Sequence, residues 1–382
     1  MAVFTAEHNA LRKLVRDFAE TEIGPYTEEW EAKGIFPAHE LFSKMAKLDL
    51  LGLEYDTAYG GQGADHLCTV ILHEELGRVG PAGVALGIGV QTDMATPSLH
   101  HFGTEELKQR YLVPAIKGDA VCSVAVTEPD AGSDVTALRT RAVRDGDDWV
   151  INGAKAYITN GTQADWVCLL ARTSDRPGYG GLSQIIVPTG TPGCQVQRKL
   201  DKLGMRSSDT AELTFTDVRV PVSNTIGELG QGFYQQMSQF QNERLALSYA
   251  AVGGMETALT RTANYLKTRD VFGKPLIENQ HLNFTLAELS ARLDLLRHYN
   301  YTAAAAYIRG EDVNRFATVA KLEAGRLARE ISATCLQFHG AVGYMEEMWT
   351  ARFFRDSPVW SIGGGADEVM LYVLSRLDGY HA

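Results

Sequence analysis

The sequence predicts an α+β protein in which a small β domain is set between two helical ones. Three observations carry that expectation. At 382 residues the chain exceeds the roughly 250–300 residues that one hydrophobic core usually serves. Along the chain the apolar period changes from helical to alternating and back to helical. The β segments do not alternate with helices and no GxGxxG follows a strand, so a doubly wound nucleotide fold is disfavoured and the sheet is expected to be antiparallel.

Taken in order, residues 1–120 read as an N-terminal helical domain. Leu11, Leu14, Val15 and Phe18 recur at helical spacing, and Pro25, Pro37 and Gly60-Gly61 break the pattern. Residues 121–230 read as a middle β domain of short runs rich in Val, Ile, Thr and Tyr, such as Trp149 to Ile151 and Glu212 to Phe215. Asp145-Gly146, Asn152-Gly153, Asn160-Gly161 and Thr191-Pro192-Gly193 are the turn signals. The run after Asn152-Gly153 reads as a strand between two turns, with Tyr157 and Thr159 on one face. Residues 231–382 return to long helices, one of which carries Ala320, Leu327, Ile331, Cys335 and Phe338 and is expected to stop near Gly340.

Composition narrows the function. Apolar residues make up 45% and charged residues 22% of the chain, near globular averages, which argues against disorder. A formal charge of −11 disfavours duplex DNA or an anionic membrane as partner, since both demand clustered Lys and Arg. Cys68, Cys122, Cys168, Cys194 and Cys335 are odd in number and far apart, fitting neither a disulfide framework nor a CxxC metal site. With no signal core or Arg/Ser-rich presequence before the amphipathic run Glu7 to Glu20, a cytoplasmic protein is expected. No apolar stretch approaches the roughly 20 residues of a membrane span.

The motifs for NTP, zinc-protease and α/β-hydrolase chemistry are absent: no GxxxxGK[ST], HExxH or GxSxG occurs. His73-Glu74-Glu75 begins like a zinc motif, but no second histidine follows one turn later. An exposed helix face is expected there, and no metal site. His339, beside Phe338 and Gly340, is expected to be a packed histidine.

Three stretches remain. Val126-Thr127-Glu128-Pro129-Asp130-Ala131-Gly132-Ser133-Asp134 places a strand end before a loop of small residues and hydroxyls, suited to close approach by a ligand or to a plain turn. Asn152 to Gly161 (NGAKAYITNG) sets an aromatic and a hydroxyl where they could hold a planar ring. Lys202 to Thr210 (KLGMRSSDT) precedes the strand Ala211 to Phe215. In this order the three segments resemble the acyl-CoA dehydrogenase family, whose middle domain carries TEP-x-AGSD, NG-x-K-x-[WY]-ITN and KLG-x-R-x-S-x-T. Arg269 to Gln280 (RDVFGKPLIENQ) and Gln337 to Gly343 extend the resemblance into the C-terminal region, so that it covers nearly the whole chain.

The resemblance implies an N-terminal helical domain, a middle antiparallel β-barrel domain and a C-terminal four-helix bundle, with FAD between barrel and bundle. It implies flavin contacts from Val124, Val126, Thr127, Gly132, Ser133, Tyr157, Ile158 and Thr159. Arg269, Phe272, Gln280, Gln337, Gly340 and Ala341 match positions on the diphosphate and adenosine, contacted from a neighbouring subunit. Ala366, Asp367 and Glu368 match positions near the flavin. Ser133, Gln91, Thr92, Arg244 and Gly364 match substrate-side positions.

Removing an α-proton from a thioester needs a carboxylate beside that carbon. The family's commonest base is the Glu of a C-terminal Y-E-G-T-S motif, and here Ile362-Gly363-Gly364-Gly365-Ala366-Asp367 puts Gly364 in its place. A family branch that includes the isovaleryl-CoA and long-chain enzymes carries the glutamate on a helix before an arginine, which Glu243-Arg244 matches. Glu243 lies three residues after Phe240 and four before Leu247, so its carboxylate falls on the inward stripe. Burial there raises its pKa toward that of a general base. An inward Glu paired with an arginine for structure alone is the alternative. Gly364 gains a role as backbone donor to the thioester oxygen, against a plain flexible turn.

The expected reaction is oxidation of an acyl-CoA to the trans-2-enoyl-CoA, with electrons passed to electron-transfer flavoprotein by a homotetramer. A long or 3-methyl-branched acyl chain, as in citronellyl-CoA-type members, follows from the helix-borne base. Competing readings are an acyl-CoA or nitroalkane oxidase using oxygen, a DNA-binding flavoprotein, and a catalytically inert subunit of a mixed tetramer.

Overall fold

Helix formation begins with a reciprocal cap: the Thr5 hydroxyl accepts from the His8 N–H while the His8 ring accepts from the Thr5 N–H, starting α1 (Ala6–Glu22). The computed structural model describes residues 4–176 and 178–380. After α1 come α2 (Thr27–Lys33), α3 (Ala38–Ala46), α4 (His66–Val79) and α5 (Ala82–Gly89). A π-helical turn, Val90–Ala95, leads into α6 (Pro97–Phe102), α7 (Glu105–Leu107) and α8 (Val113–Ile116).

Helix α4 is the axis of this domain. Every residue from His66 through Leu76 is buried, so no side of the helix meets water. This corrects the expected exposed face at His73-Glu74-Glu75. Those residues stay inside because each finds a partner: His73 Nε2 lies 2.7 Å from Asp93 Oδ2, Glu74 accepts from Arg12 at 3.0 Å, and Glu75 from Arg12 at 2.7 Å and Arg16 at 2.8 Å. Buried carboxylates persist only when paired in this way.

The middle domain is one eight-stranded sheet. Its strands are β1 (Cys122–Ala125), β2 (Arg141–Asp145), β3 (Asp148–Thr159), β4 (Trp166–Arg172), β5 (Leu182–Pro188), β6 (Cys194–Lys199), β7 (Thr210–Pro221) and β8 (Thr225–Ile226). The path runs β6-β7-β3-β2-β4-β5-β8, with β1 added beside β4. The antiparallel expectation holds except where β1 and one residue of β2, Arg141, pair parallel to β4. The β2–β3 hairpin intervenes before β4, which returns the chain in the same sense as β1.

Asn152-Gly153 is a second correction, because it makes no turn. It is an irregularity inside β3, where the register against β7 shifts between Ile151 and Gly153. Glycine is required there: a Cβ at its φ of 155° would meet Thr140 Oγ1 at 2.4 Å. A second shift between Lys155 and Ile158 puts Tyr157 at φ 61°, so the expected shared face of Tyr157 and Thr159 is broken by a bulge.

The third domain opens with α9 (Gly232–Thr268), 37 residues long and so about 55 Å from end to end. The hairpin β9 (Asp270–Val271) and β10 (Lys274–Pro275) follows, then α10 (Gln280–Ile308), α11 (Asn314–His339), α12 (Trp349–Asp356) and α13 (Asp367–Leu377). Helix α11 stops as expected at Gly340, with φ 61°. Glycines let α9 lie directly on α4: a Cβ on Gly77 would stand 2.1 Å from the Ala250 carbonyl oxygen, and one on Gly253 2.0 Å from that of Glu74. The largest core joins Val90 and Met94, Met205 and the faces of α9, α10 and α11, which fixes α9 against all three domains. Among the described residues, no helix is long and apolar enough to cross a membrane, and all five cysteines are free.

Candidate active site

Close packing of α9 brings Glu243 inside, where it is 7% exposed. Its Oε2 has no hydrogen-bond partner, and among the described residues no cation lies within ion-pairing distance of it. Burial raises the carboxyl to about 7; Arg244 and Lys321 oppose the rise from a distance and Asp93 adds to it. Arg244 follows on the helix but turns away, donating from Nε to the Gly364 carbonyl at 3.1 Å. The alternative of an inward glutamate held as half of a structural ion pair therefore lacks its pair.

Opposite Glu243 stands the Gly363–Gly365 loop. Gly364 adopts φ 67°, and a Cβ there would lie 3.5 Å from Glu243 Oε1. The missing side chain is thus the space that Glu243 uses. Two buried cations hold the loop by its carbonyls, Arg244 at Gly364 and Lys321 at Gly365. No acceptor among the described residues engages the Gly364 N–H, leaving it available as a donor. Ala366 caps α13, and Asp367 pairs with Arg329 at 3.0 Å and Lys321 at 4.0 Å, while Glu368 is exposed. Lys321 carried no signal in the sequence: it sits on the same buried side of α11 as Ala317 and Ala320, and a pattern read as apolar hides a lysine.

The strand ends of β1 and β3 meet beside this loop's domain. Ser123 donates to the Thr159 carbonyl at 2.5 Å, and the Ala156 N–H to the Thr127 carbonyl at 2.9 Å. Neither the Thr127 nor the Thr159 hydroxyl hydrogen-bonds to another described residue. Val126 and Ile158 are buried beneath them, Val124 is partly buried, and Tyr157 is 66% exposed. Gly132 and Ser133 lie on the exposed loop that follows. Free hydroxyls and backbone over an apolar floor, flanked by an aromatic ring, fit a flavin ring.

An ion pair that sequence reading left without a role braces these ends. Lys155 is fully buried, donating to the Val126 carbonyl at 2.8 Å and to Glu128 at 2.9 Å. Burial would raise the Glu128 carboxyl, but Lys155 and the N–H groups of Arg139 and Thr140 hold it below its ordinary range. Both residues were visible in the quoted motifs; only the fold shows that they meet.

Arg269, Phe272 and Gln280 on the β9–β10 hairpin and the start of α10 gather with Gln337, Gly340 and Ala341 at the end of α11. Tyr265 on α9 stacks on His339 at 4.3 Å, and His281 on α10 meets Phe338 edge-on at 6.4 Å, which ties α9 and α10 to the end of α11. His339 is packed, as expected, with Nδ1 on the Cys335 carbonyl at 2.7 Å. All six candidates are exposed, Phe272 fully, and Arg269 forms no ion pair among the described residues. The set fits a polyanionic ligand laid across the surface.

The substrate-side candidates separate. Thr92 lines a cavity beside α9. Gln91 does not: its amide is consumed by the Ala115 and Ala120 carbonyls and the Cys122 N–H, tying the helical domain to β1.

Comparison with known proteins agrees with this architecture. Models of the N-terminal, middle and C-terminal domains of acyl-CoA dehydrogenases match residues 5–119, 123–218 and 230–377. The chain belongs to the acyl-CoA dehydrogenase family, a family of flavoprotein oxidoreductases. It superposes on a putative acyl-CoA dehydrogenase from Mycobacterium smegmatis with a TM-score of 0.96 and 42% identity, covering 99% of both chains. It is 35% identical to the long-chain specific mitochondrial enzyme of Rattus norvegicus, covering 98% of this chain and 87% of that one. It is also 36% identical to the short-chain specific enzyme of Clostridium acetobutylicum, covering 97% of each. Identity alone thus leaves acyl length open.

Proposed function

We propose that the chain binds FAD and oxidises an acyl-CoA to its trans-2-enoyl-CoA, with Glu243 as the base. The observation that carries this is a buried, unpaired carboxylate facing the glycine that stands where the family's commonest base would be.

When bound, FAD supplies the acceptor for the hydride lost from the β-carbon. Glu243 takes the α-proton onto its carboxylate, whose raised pKa matches it to that step. The Gly364 N–H donates to the thioester oxygen as negative charge gathers there. Arg244 and Lys321 keep that N–H in place through the loop carbonyls. Thr127, Tyr157 and Thr159 would hold the flavin ring, and Arg269, Gln280 and Gln337 the diphosphate and adenosine of the FAD in a neighbouring subunit.

A base on α9 supports a long or 3-methyl-branched acyl group, as the family resemblance implied. Electron-transfer flavoprotein is the proposed acceptor. A homotetramer is supported by apolar side chains left open on α10, Phe284 at 62% and Leu295 at 72% exposed. Unpaired cysteines suit the cytoplasm. The test is anaerobic mixing of the flavin-loaded protein with octanoyl-, palmitoyl-, isovaleryl- and citronellyl-CoA. Flavin bleaching with formation of 2-enoyl-CoA, and little peroxide on admitting air, is expected. No bleaching by any of the four, or rapid peroxide formation, contradicts the reading and favours the inert subunit or the oxidase.

A further inference from the structure

Beside the base lies a cavity of about 140 Å³, bounded by the Leu50–Tyr55 segment, α4, the π-helical turn, α6 and α9. One wall is leucine-rich, from residues 50–53. The lining on α9 and the π-helical turn is a polar wall that includes Gln235, Asn242 and Asp93. Asn242 immediately precedes Glu243 on α9, so the cavity reaches the turn of helix that carries the base.

The polar wall offers acceptors that nothing in the chain satisfies. Gln235 is 5% exposed; its amide nitrogen donates to the Ile226 carbonyl at 3.2 Å, which fixes the amide's orientation and leaves Oε1 buried without a partner. Asn242 points its amide nitrogen at Asp93 Oδ1, 3.4 Å away, and its own Oδ1 is likewise unpartnered. A buried acceptor without a donor costs roughly 1–3 kcal/mol, so both are suited to a ligand that donates. The carboxylates at this site already face histidines, Asp93 with His73 at 2.7 Å and Glu54 with His66 at 2.7 Å. A neutral donor therefore fits better than a cation.

We propose that this cavity receives the distal part of the acyl chain and that the preferred acyl group carries a hydroxyl there, its alkyl part along the leucines and its O–H on Gln235 or Asn242. The proposal rests on the acyl-CoA reading above. Gln235 stands eight positions before Glu243, about 12 Å along the helix, so a hydroxyl on Gln235 lies well away from the reacting carbons, whereas one on Asn242 lies on the turn that carries the base.

Binding tests it without turnover. The flavin-loaded Glu243→Gln protein is titrated calorimetrically with hexanoyl-, octanoyl- and decanoyl-CoA and with the counterparts bearing a terminal hydroxyl or a terminal amine. At least one hydroxyl form should bind about tenfold or more tighter than its parent, since a site built to pair with a hydroxyl rejects the analogue lacking it. Gln235→Met and, independently, Asn242→Leu in that background should shrink the preference. Equal or tighter binding of every parent, a preference untouched by both variants, or tightest binding of the amine overturns the proposal. Flavin bleaching of the unsubstituted protein by the same compounds is scored separately. Its absence for all nine and for palmitoyl-, isovaleryl- and citronellyl-CoA overturns the dehydrogenase reading, whereas bleaching by parents alone overturns only the hydroxyl preference.

Discussion

A Cβ on Gly364 would stand 3.5 Å from Glu243 Oε1 and 2.9 Å from a Leu247 methyl. The two positions converge on one space, so a carboxylate can reach it from α9 or from the C-terminal loop, but the space does not admit both side chains without displacement. This geometry explains why a glycine faces the helix-borne glutamate.

Gly364→Ala should therefore be harmful in two ways. The added methyl meets Leu247 and adopts φ 67°, costing roughly 1–3 kcal/mol of stability. It also shifts the N–H at the substrate oxygen. Thermal melts should show the first and a lowered rate of flavin reduction the second; an unchanged reduction rate would remove Gly364 from the oxyanion role.

Glu243 links stability to pH. In the unfolded chain its carboxyl ionises near 4.5, while in the folded chain burial holds the proton to about 7. The folded state binds more protons between those values, so this stability is full below 4.5 and lost as pH rises through 7. The loss amounts to roughly 3 kcal/mol at alkaline pH. Glu243→Gln should accordingly melt higher than the unsubstituted protein at pH 8, with the gap closing toward pH 5.

Lys155→Met should strand the buried Glu128 carboxylate. A cost of about 3–5 kcal/mol is expected, along with easier loss of flavin, because the pair braces both strand ends. Chemical denaturation and flavin retention on gel filtration measure the two; a variant as stable as its parent would mean that Glu128 is satisfied by backbone donors alone.

Lys321→Met tests a positioning role. It frees the Gly365 carbonyl, so the high-pH plateau of flavin reduction should fall by about 10–100-fold through lost preorganisation, while the pH midpoint moves up only as far as the Lys321 charge opposed the rise of the Glu243 carboxyl. A moved midpoint with an unaltered plateau would instead make Lys321 an electrostatic partner of Glu243.

The order helix, sheet, helix was legible because periodicity reports which face is buried. The inward position of Glu243 was legible because it falls in step with Phe240 and Leu247, whereas its role as base rested on the family resemblance. His73-Glu74-Glu75 was misjudged for a related reason: charges usually mark a solvent face, and only the arrival of Arg12 and Arg16 from α1 lets them be internal. Asn152-Gly153 carries a turn's residues but serves a bulge against Thr140. Glu128 with Lys155 and Lys321 with Gly365 are long-range pairs whose members give no local sign of each other. Gln91 sits beside Thr92 in sequence, yet the helix turns the two amide and hydroxyl groups to different neighbours.

The central claim is that Glu243 is the base. Its most direct test is the pH dependence of anaerobic flavin reduction by an acyl-CoA, followed by stopped flow in the unsubstituted protein and in Glu243→Gln. In the former the rate should level off above pH 7 and fall by about tenfold per pH unit below it; in the latter reduction should be lost while flavin and acyl-CoA still bind. Normal reduction by Glu243→Gln, or a profile flat across this range, would contradict the assignment.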